Sequence, residues 1–429
     1  MKKKTNNKTT AATVRGRRFR GNELKYLKQV LDSDLKTNSR RGMIGDLERK
    51  FAKRFGVQYA ISSNSGTSTL HQALAAFGVG PGDEVIVPAL TVVMCGYAIV
   101  QMHAKPVYAD VDPRTFLIDP ADIERKITPK TKAIMVVHLY GQVCDMERIM
   151  KIAKKHDLWV LEDCAECFLG TDSRGRLGGT IGDVGSFSFE GTKVITCGEG
   201  GILTTNNKEL AVRMRKFGAL GFKTLQASDA QEMSNPLAFQ DPKYLRHDSF
   251  GYNYRIAQPL AAIALAQLER LDWFTKKRVY IARKYLGAMK GCSWLKPQYV
   301  PPGYTNTYWT FVVLFEGKEK IGVSWYEFRD MFLEFGGDKC RSVFALIYNE
   351  PSMINLNKTG RYFMDIDDKQ GALHKKYLAD PKCPVAESIQ PKLMQFTTNQ
   401  LSDRETAVQI AAFKKTIQYF DKKSSEHKK

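Results

Sequence analysis

The chain has 429 residues, 43% of them hydrophobic, which is enough to bury a large core in about two domains. Eight cysteines over that length, behind an N-terminus rich in Lys and Arg but without an apolar stretch, argue against a secreted disulfide scaffold and for reduced thiols in the cytoplasm. Much of the formal net charge of +20 lies in the tails, where Lys2, Lys3, Lys4, Lys8, Arg15, Arg17, Arg18 and Arg20 precede any acidic residue; runs of this kind without interleaved aromatics read as solvated arms rather than a nucleic-acid-reading surface.

In chain order, residues 1–22 are expected to form a basic disordered arm. Strands are predicted over 59–62, 84–87, 106–110, 133–137 and 159–162, with helices over 70–77, 94–102, 120–126 and 145–156 between them. Segments 189–193 and 201–205 are expected to continue the sheet, and a helix over 258–271 to close the unit. Such alternation defines an α/β fold with a mostly parallel central sheet flanked by helices. The uncharged run 85–104 is long enough to raise the question of a membrane span, but Pro88, Thr91, Gly96 and Gln101 interrupt it, so strand, turn and buried helix are expected instead.

Residues 273–277 start the link to a smaller C-terminal α+β domain. The expected division is therefore a large domain over 23–275, a small domain over 276–420 and a basic tail over 421–429. Two polar stretches, 222–249 and 353–377, read as excursions long enough to be functional.

The chemistry concentrates around Lys193. Its segment, 185–201, is a short apolar strand, a polar turn carrying one amine, and a second, glycine-rich turn with Gly198, Gly200 and Gly201. A lysine that forms an imine needs its nitrogen held at one point in a preorganised pocket. Asp163 ends the predicted strand 159–162, where a buried carboxylate can keep the ring nitrogen of pyridoxal phosphate (PLP) protonated. The stretch Asn64-Ser65-Gly66-Thr67-Ser68-Thr69 opens a helix, so Gly66 and Thr67 offer backbone N–H groups to the cofactor phosphate, with the Ser188 hydroxyl as an addition. Cys164 and Cys167 form a lone C-x-x-C without a second ligand pair, so packing thiols rather than a metal or redox centre are expected there. His138 and Tyr140 at a strand end either pack or take part in catalysis, and Glu199 either caps its turn or serves the site.

Taken in order, Ser65-Gly66-Thr67, Gly80-Pro81-Gly82-Asp83-Glu84-Val85, Asp110-Val111-Asp112, Val137-His138-Leu139-Tyr140-Gly141, Glu162-Asp163, Phe187-Ser188-Phe189 with Lys193, Gly198-Glu199-Gly200-Gly201 and Gly251-Tyr252-Asn253-Tyr254-Arg255 resemble the DegT/StrS-type sugar aminotransferases. The resemblance spans about residues 40–272, with a weaker echo at 383–387. It implies a fold type I PLP-dependent transferase that moves an amino group from glutamate, or less often glutamine, to a keto sugar, usually nucleotide-linked, or to a keto cyclitol. It further implies Lys193 as the cofactor-binding lysine, Asp163 as partner of the pyridine nitrogen, and Gly66, Thr67 and Ser188 at the phosphate. Asn253 is implied to reach the phosphate of a neighbouring subunit's cofactor, which requires a homodimer with shared active sites.

Three positions depart from the family pattern. Val92 stands where an aromatic side chain often stacks on the cofactor ring. Glu166 stands where Gln or His is common near the phenolic oxygen, although some perosamine-type members also carry Glu. The stretch 336–351 lacks a common substrate-binding motif. Because the dehydratase branch replaces the lysine by His, Lys193 favours transamination over PLP-dependent sugar dehydration; an inosose aminotransferase and a non-catalytic regulatory PLP-fold protein are the other readings.

Overall fold

The computed structural model describes residues 18–33, 35, 42–228, 240–359 and 382–426. The arm before Arg18, the tail after Glu426, the middle of the first polar excursion and most of the second fall outside them.

The large unit is built on a seven-stranded sheet of β1 (Tyr59–Ser63), β2 (Glu84–Pro88), β3 (Lys105–Ala109), β4 (Thr131–Val137), β5 (Trp159–Asp163), β6 (Val184–Ser188) and β7 (Gly201–Thr205), in the order β1-β7-β6-β5-β4-β2-β3. The pairs among β3, β2, β4, β5 and β6 are parallel, whereas β7 runs antiparallel to both β6 and β1. Every residue of β2, β6 and β7 is buried, as a sheet covered on both faces requires.

Helices supply the cover. Along Met43–Phe55, residues Ile44, Leu47, Phe51 and Phe55 recur at helical spacing and are buried, and Gly56 ends the helix at φ 69°, a left-handed conformation that glycine adopts without a steric penalty. Within the uncharged run, β2 is followed by a helix of only eight residues, Met94–Gln101, and no helix among the described residues is long and apolar enough to cross a membrane.

The second unit packs helices on a four-stranded antiparallel sheet, β10-β11-β9-β8, of β8 (Leu295–Pro297), β9 (Thr310–Phe315), β10 (Cys340–Ser342) and β11 (Leu393–Thr397). Its core includes Trp294, Phe311, Phe328, Phe332, Phe396 and Phe413. The expected link at 273–277 lies inside the long helix Leu271–Ala288, whose first half packs Phe274 in the large-domain core and whose second half packs Ile281 and Tyr285 in the small one.

Two expectations are corrected. The strand near Lys193 covers Val184–Ser188, not 189–193. It ends because the Glu190 side chain accepts the Thr192 N–H at 2.9 Å and the Glu190 carbonyl accepts the Lys193 N–H at 3.0 Å, folding the chain into a turn. At the ends, Arg18 and Asn22 are tied to the large unit: Asn22 donates to Glu269 at 2.7 Å and Arg270 donates to the Arg18 carbonyl at 2.6 Å. The last helix, Asp403–Glu426, runs into the stretch taken for a tail.

Candidate active site

The carboxyl ends of the parallel strands converge on the groups singled out in the sequence, the edge at which open α/β sheets bind ligands. Asp163 is the last residue of β5 and pairs in register with Val137 of β4 and Ser186 of β6. It is 3% exposed, with one oxygen accepting the Ala165 N–H at 2.9 Å and the other the Cys95 thiol at 3.3 Å. Burial raises its pKa above the ordinary range, more strongly than these hydrogen bonds and the more distant Lys193 charge lower it. A cation placed against it would relieve that cost.

Lys193 projects from the turn after β6. Its amine lies 3.6 Å from Glu166 Oε1 and 4.5 Å from the centre of the Trp309 ring, with the side chain 15% exposed. Glu166 is buried and accepts the Tyr140 N–H at 3.0 Å through its other oxygen; burial raises its pKa, with Lys193 opposing. Thus Glu166 is the counter-charge of the amine. Trp309, from the second unit, was not anticipated by the sequence reading; its indole donates to the Thr192 carbonyl at 3.0 Å, so it fixes the turn as well as facing the amine.

The expected phosphate cradle is a capped helix start. Ser65 is the N-cap of Gly66–Ala76, accepting the Ser68 N–H on its hydroxyl and the Thr69 N–H on its carbonyl. Helix geometry therefore leaves the Gly66 and Thr67 N–H groups without intrahelical acceptors. Ser188, at the end of β6, closes the cradle: a Cβ added at Gly66 would lie 2.7 Å from Ser188 Cβ and 3.0 Å from its hydroxyl. A buried hydrogen bond of 2.7 Å between Thr69 and Ser186 ties this helix start to β6.

Among the described residues these groups fit PLP: a cradle whose first N–H groups have no intrahelical acceptor, a buried carboxylate without a cationic partner in contact, and a lysine on a fixed turn. The Tyr140 hydroxyl, buried and without a hydrogen-bond partner among the described residues, is a further polar atom left open beside Glu166. Val92 is half-buried, and its carbonyl accepts the N–H of Cys95, whose thiol donates to Asp163.

Other residues are placed elsewhere. His138 is completely buried; its Nε2 pairs with Glu162 at 2.8 Å while Nδ1 accepts the Cys144 N–H at 3.1 Å. Glu162 also accepts the N–H groups of Gly179, Ile181 and Gly182, so this pair anchors a loop to β5 on the face opposite Asp163. Cys164 sits within 4.8 Å of both, but the imidazole has no lone pair left for a metal. Cys164 and Cys167 are buried thiols, with burial pushing the Cys167 pKa up to about 12. Glu199 is exposed, and its carbonyl accepts the Cys197 thiol. Asn253 is exposed and accepts from Arg255 at 3.0 Å; with Glu48 and Arg215 it lines a separate cavity of about 230 Å³, although the Tyr254 carbonyl accepts the Asn64 N–H at 2.7 Å next to the cradle.

Fold and site together define the fold type I class of PLP-dependent transferases. The chain belongs to the DegT/DnrJ/EryC1/StrS aminotransferase family, whose model matches residues 18–330. It is 44% identical over 261 residues to the GDP-perosamine synthase of Caulobacter vibrioides, an alignment that covers 61% of this chain and 65% of that protein. It is 39% identical over 276 residues to the L-glutamine:2-deoxy-scyllo-inosose aminotransferase of Streptoalloteichus tenebrarius, covering 62% of each. The chain thus matches just under two thirds of the length of these relatives. Among solved structures, an aminotransferase from Psychrobacter cryohalolentis superposes with a TM-score of 0.81 at 28% identity, covering 94% of this chain and 98% of that one.

Proposed function

We propose that this chain is a PLP-dependent aminotransferase that moves an amino group from glutamate, or glutamine, to a nucleotide-linked keto deoxyhexose. The observation that carries the proposal is the placement of the Lys193 amine beside Glu166 at the same sheet edge as Asp163 and the Gly66 cradle. When bound, PLP supplies an electron sink for the electron pair left behind as a proton leaves the substrate carbon.

The chain's own residues do the rest. Gly66, Thr67 and Ser188 would hold the phosphate, and Asp163 would keep the ring nitrogen protonated. Lys193 would hold the cofactor, and its Nζ can carry a proton as acid or base because Glu166 and the Trp309 face fix where the amine sits. Glutamate and the keto sugar react in turn, so the cycle is ping-pong. A homodimer in which Asn253 completes the partner's phosphate site belongs to the same proposal. So does a cytosolic setting, supported by eight free cysteines of which seven are buried.

The sugar substrate is favoured over a keto cyclitol by the 44% identity to a GDP-perosamine synthase against 39% to an inosose aminotransferase, and Lys193 itself speaks against dehydration. Borohydride reduction of the purified protein, followed by peptide mapping, tests the site: the cofactor label is expected on Lys193, and a label elsewhere would refute it. Turnover of a panel of keto sugars and inososes with glutamate then decides the acceptor, and Lys193→Ala is expected to abolish it.

A further inference from the structure

Lys193 stands on backbone that neither sheet nor helix holds, since β6 stops at Ser188 and β7 begins at Gly201. Local hydrogen bonds fold this stretch inward: Lys193 N–H to the Glu190 carbonyl at 3.0 Å, and the Thr196 hydroxyl to the Phe189 carbonyl at 2.8 Å. The carbonyls of Gly191, Lys193 and Val194 point the other way and need outside donors.

One side chain supplies all three. Arg18 donates from Nη1 to the Gly191 carbonyl at 3.1 Å, and from Nη2 to the Val194 carbonyl at 2.7 Å and to the carbonyl of Lys193 itself. The guanidinium is anchored in turn, lying 5.7 Å from the centre of the Phe274 ring while Arg270 donates to the Arg18 carbonyl. Burial lowers the Arg18 pKa to about 10, with Glu190 opposing, so the side chain remains a cation at neutral pH.

We propose that Arg18 is a positioning residue: its three-way hydrogen bonding sets the height and tilt of the turn from which Lys193 reaches the cofactor. The planar fork is what makes this work, because five N–H donors in fixed directions can span three carbonyls of one turn and a lysine ammonium cannot match that pattern. Arg18 acts on the lysine's backbone and not on substrate. Its loss therefore falls on kcat, while KM for both substrates stays close to the wild-type value. The inference rests on Lys193 being the cofactor lysine.

The test uses the cofactor-loaded full chain with Arg18→Ala and Arg18→Lys, read by kcat, KM and the visible circular dichroism of the bound cofactor, which reports its tilt. Both variants are expected to lose on the order of tenfold to a hundredfold in kcat and to show a reduced dichroism band, since small misplacements of a reacting group cost that much. Millimolar guanidinium ion should restore band and kcat in Arg18→Ala by refilling the vacated site. Should Arg18→Ala fail to fold, Arg18→Lys, which keeps the charge and most of the volume, carries the test alone. A wild-type band and wild-type kcat in Arg18→Lys, or in a folded Arg18→Ala, overturns the inference. Borohydride labelling of the wild type separates the two failures: label absent from Lys193 defeats the functional reading, whereas label on Lys193 with silent Arg18 variants defeats only this one.

Discussion

Glu166 Oε1 lies 3.6 Å from the Nζ of Lys193, and both groups are largely withdrawn from water. Burial pushes the Glu166 carboxyl above its ordinary pKa of 4.5, while the lysine pulls it back. As pH falls through that raised value, Glu166 becomes neutral and the amine loses its counter-charge. The wild-type profile of kcat/KM against pH is therefore expected to show an acid limb above the usual carboxylate range. Glu166→Gln, neutral at every pH, should lack that limb and run about a hundredfold slower at neutral pH, the lower end of the range for general acid–base assistance. An unchanged limb in Glu166→Gln would remove Glu166 from the proton chemistry.

Asp163 makes a prediction about stability as well as rate. Burial raises its folded pKa above the unfolded value. For an acid shifted in that direction, the folded state binds the extra proton, so its contribution is fully present below the ordinary carboxylate range and is lost as pH rises through the folded value. The cofactor-free wild type should accordingly melt below cofactor-free Asp163→Asn at neutral pH, with the gap closing in acid. Activity should move the opposite way, falling on the order of 10²–10³-fold as expected for loss of a preorganised charge. Parallel melting curves across pH would show that the carboxylate carries no such burden.

Much of this arrangement is legible in the sequence, and the gaps have physical causes. The continuous apolar character of β2, β4 and β5, each closed by polar or turn residues, marks strands buried on both faces, and Glu162-Asp163 at the end of β5 marks the ligand-binding edge. The strand before Lys193 was displaced towards 189–193 because β6 reads Val-Gly-Ser-Phe-Ser. Its small polar residues are buried by hydrogen bonding, as between Ser186 and Thr69, which hydropathy does not register. Trp309 and Arg18 had no local signal at all. They reach the Lys193 turn from 116 residues downstream and 175 residues upstream, and only tertiary packing brings them there. The pairing of Glu166 has no local signal either, because the lysine that neutralises it lies 27 positions further along the chain.

The cradle can be tested without touching a charged group. Gly66→Ala places a methyl group 2.7 Å from Ser188 Cβ, closer than carbon atoms approach, so the helix start or the end of β6 must shift. Overpacking of this kind costs about 1–3 kcal/mol. The loss is expected chiefly in cofactor retention, measured as a weaker Kd for PLP by fluorescence titration, while far-ultraviolet circular dichroism stays unchanged. Wild-type affinity in Gly66→Ala would place the phosphate elsewhere.

The proposed role of Asn253 depends on a second copy. In the single chain it is exposed and its side chain accepts from Arg255, while the neighbouring Tyr252 and Tyr254 rings stack at 5.3 Å and Phe250 is 79% exposed, an apolar face suited to a partner. If each site takes Lys193 from one protomer and Asn253 from the other, Asn253→Ala and Lys193→Ala should both be poorly active alone. Mixed and re-equilibrated in equal amounts, half of the dimers become heterodimers with one intact site, and activity should recover to about one quarter of wild type. That recovery should appear only as fast as subunits exchange, which size-exclusion chromatography of differently tagged chains can follow. Heterodimers that form without any gain in activity would confine each site to a single chain and leave Asn253 a turn residue.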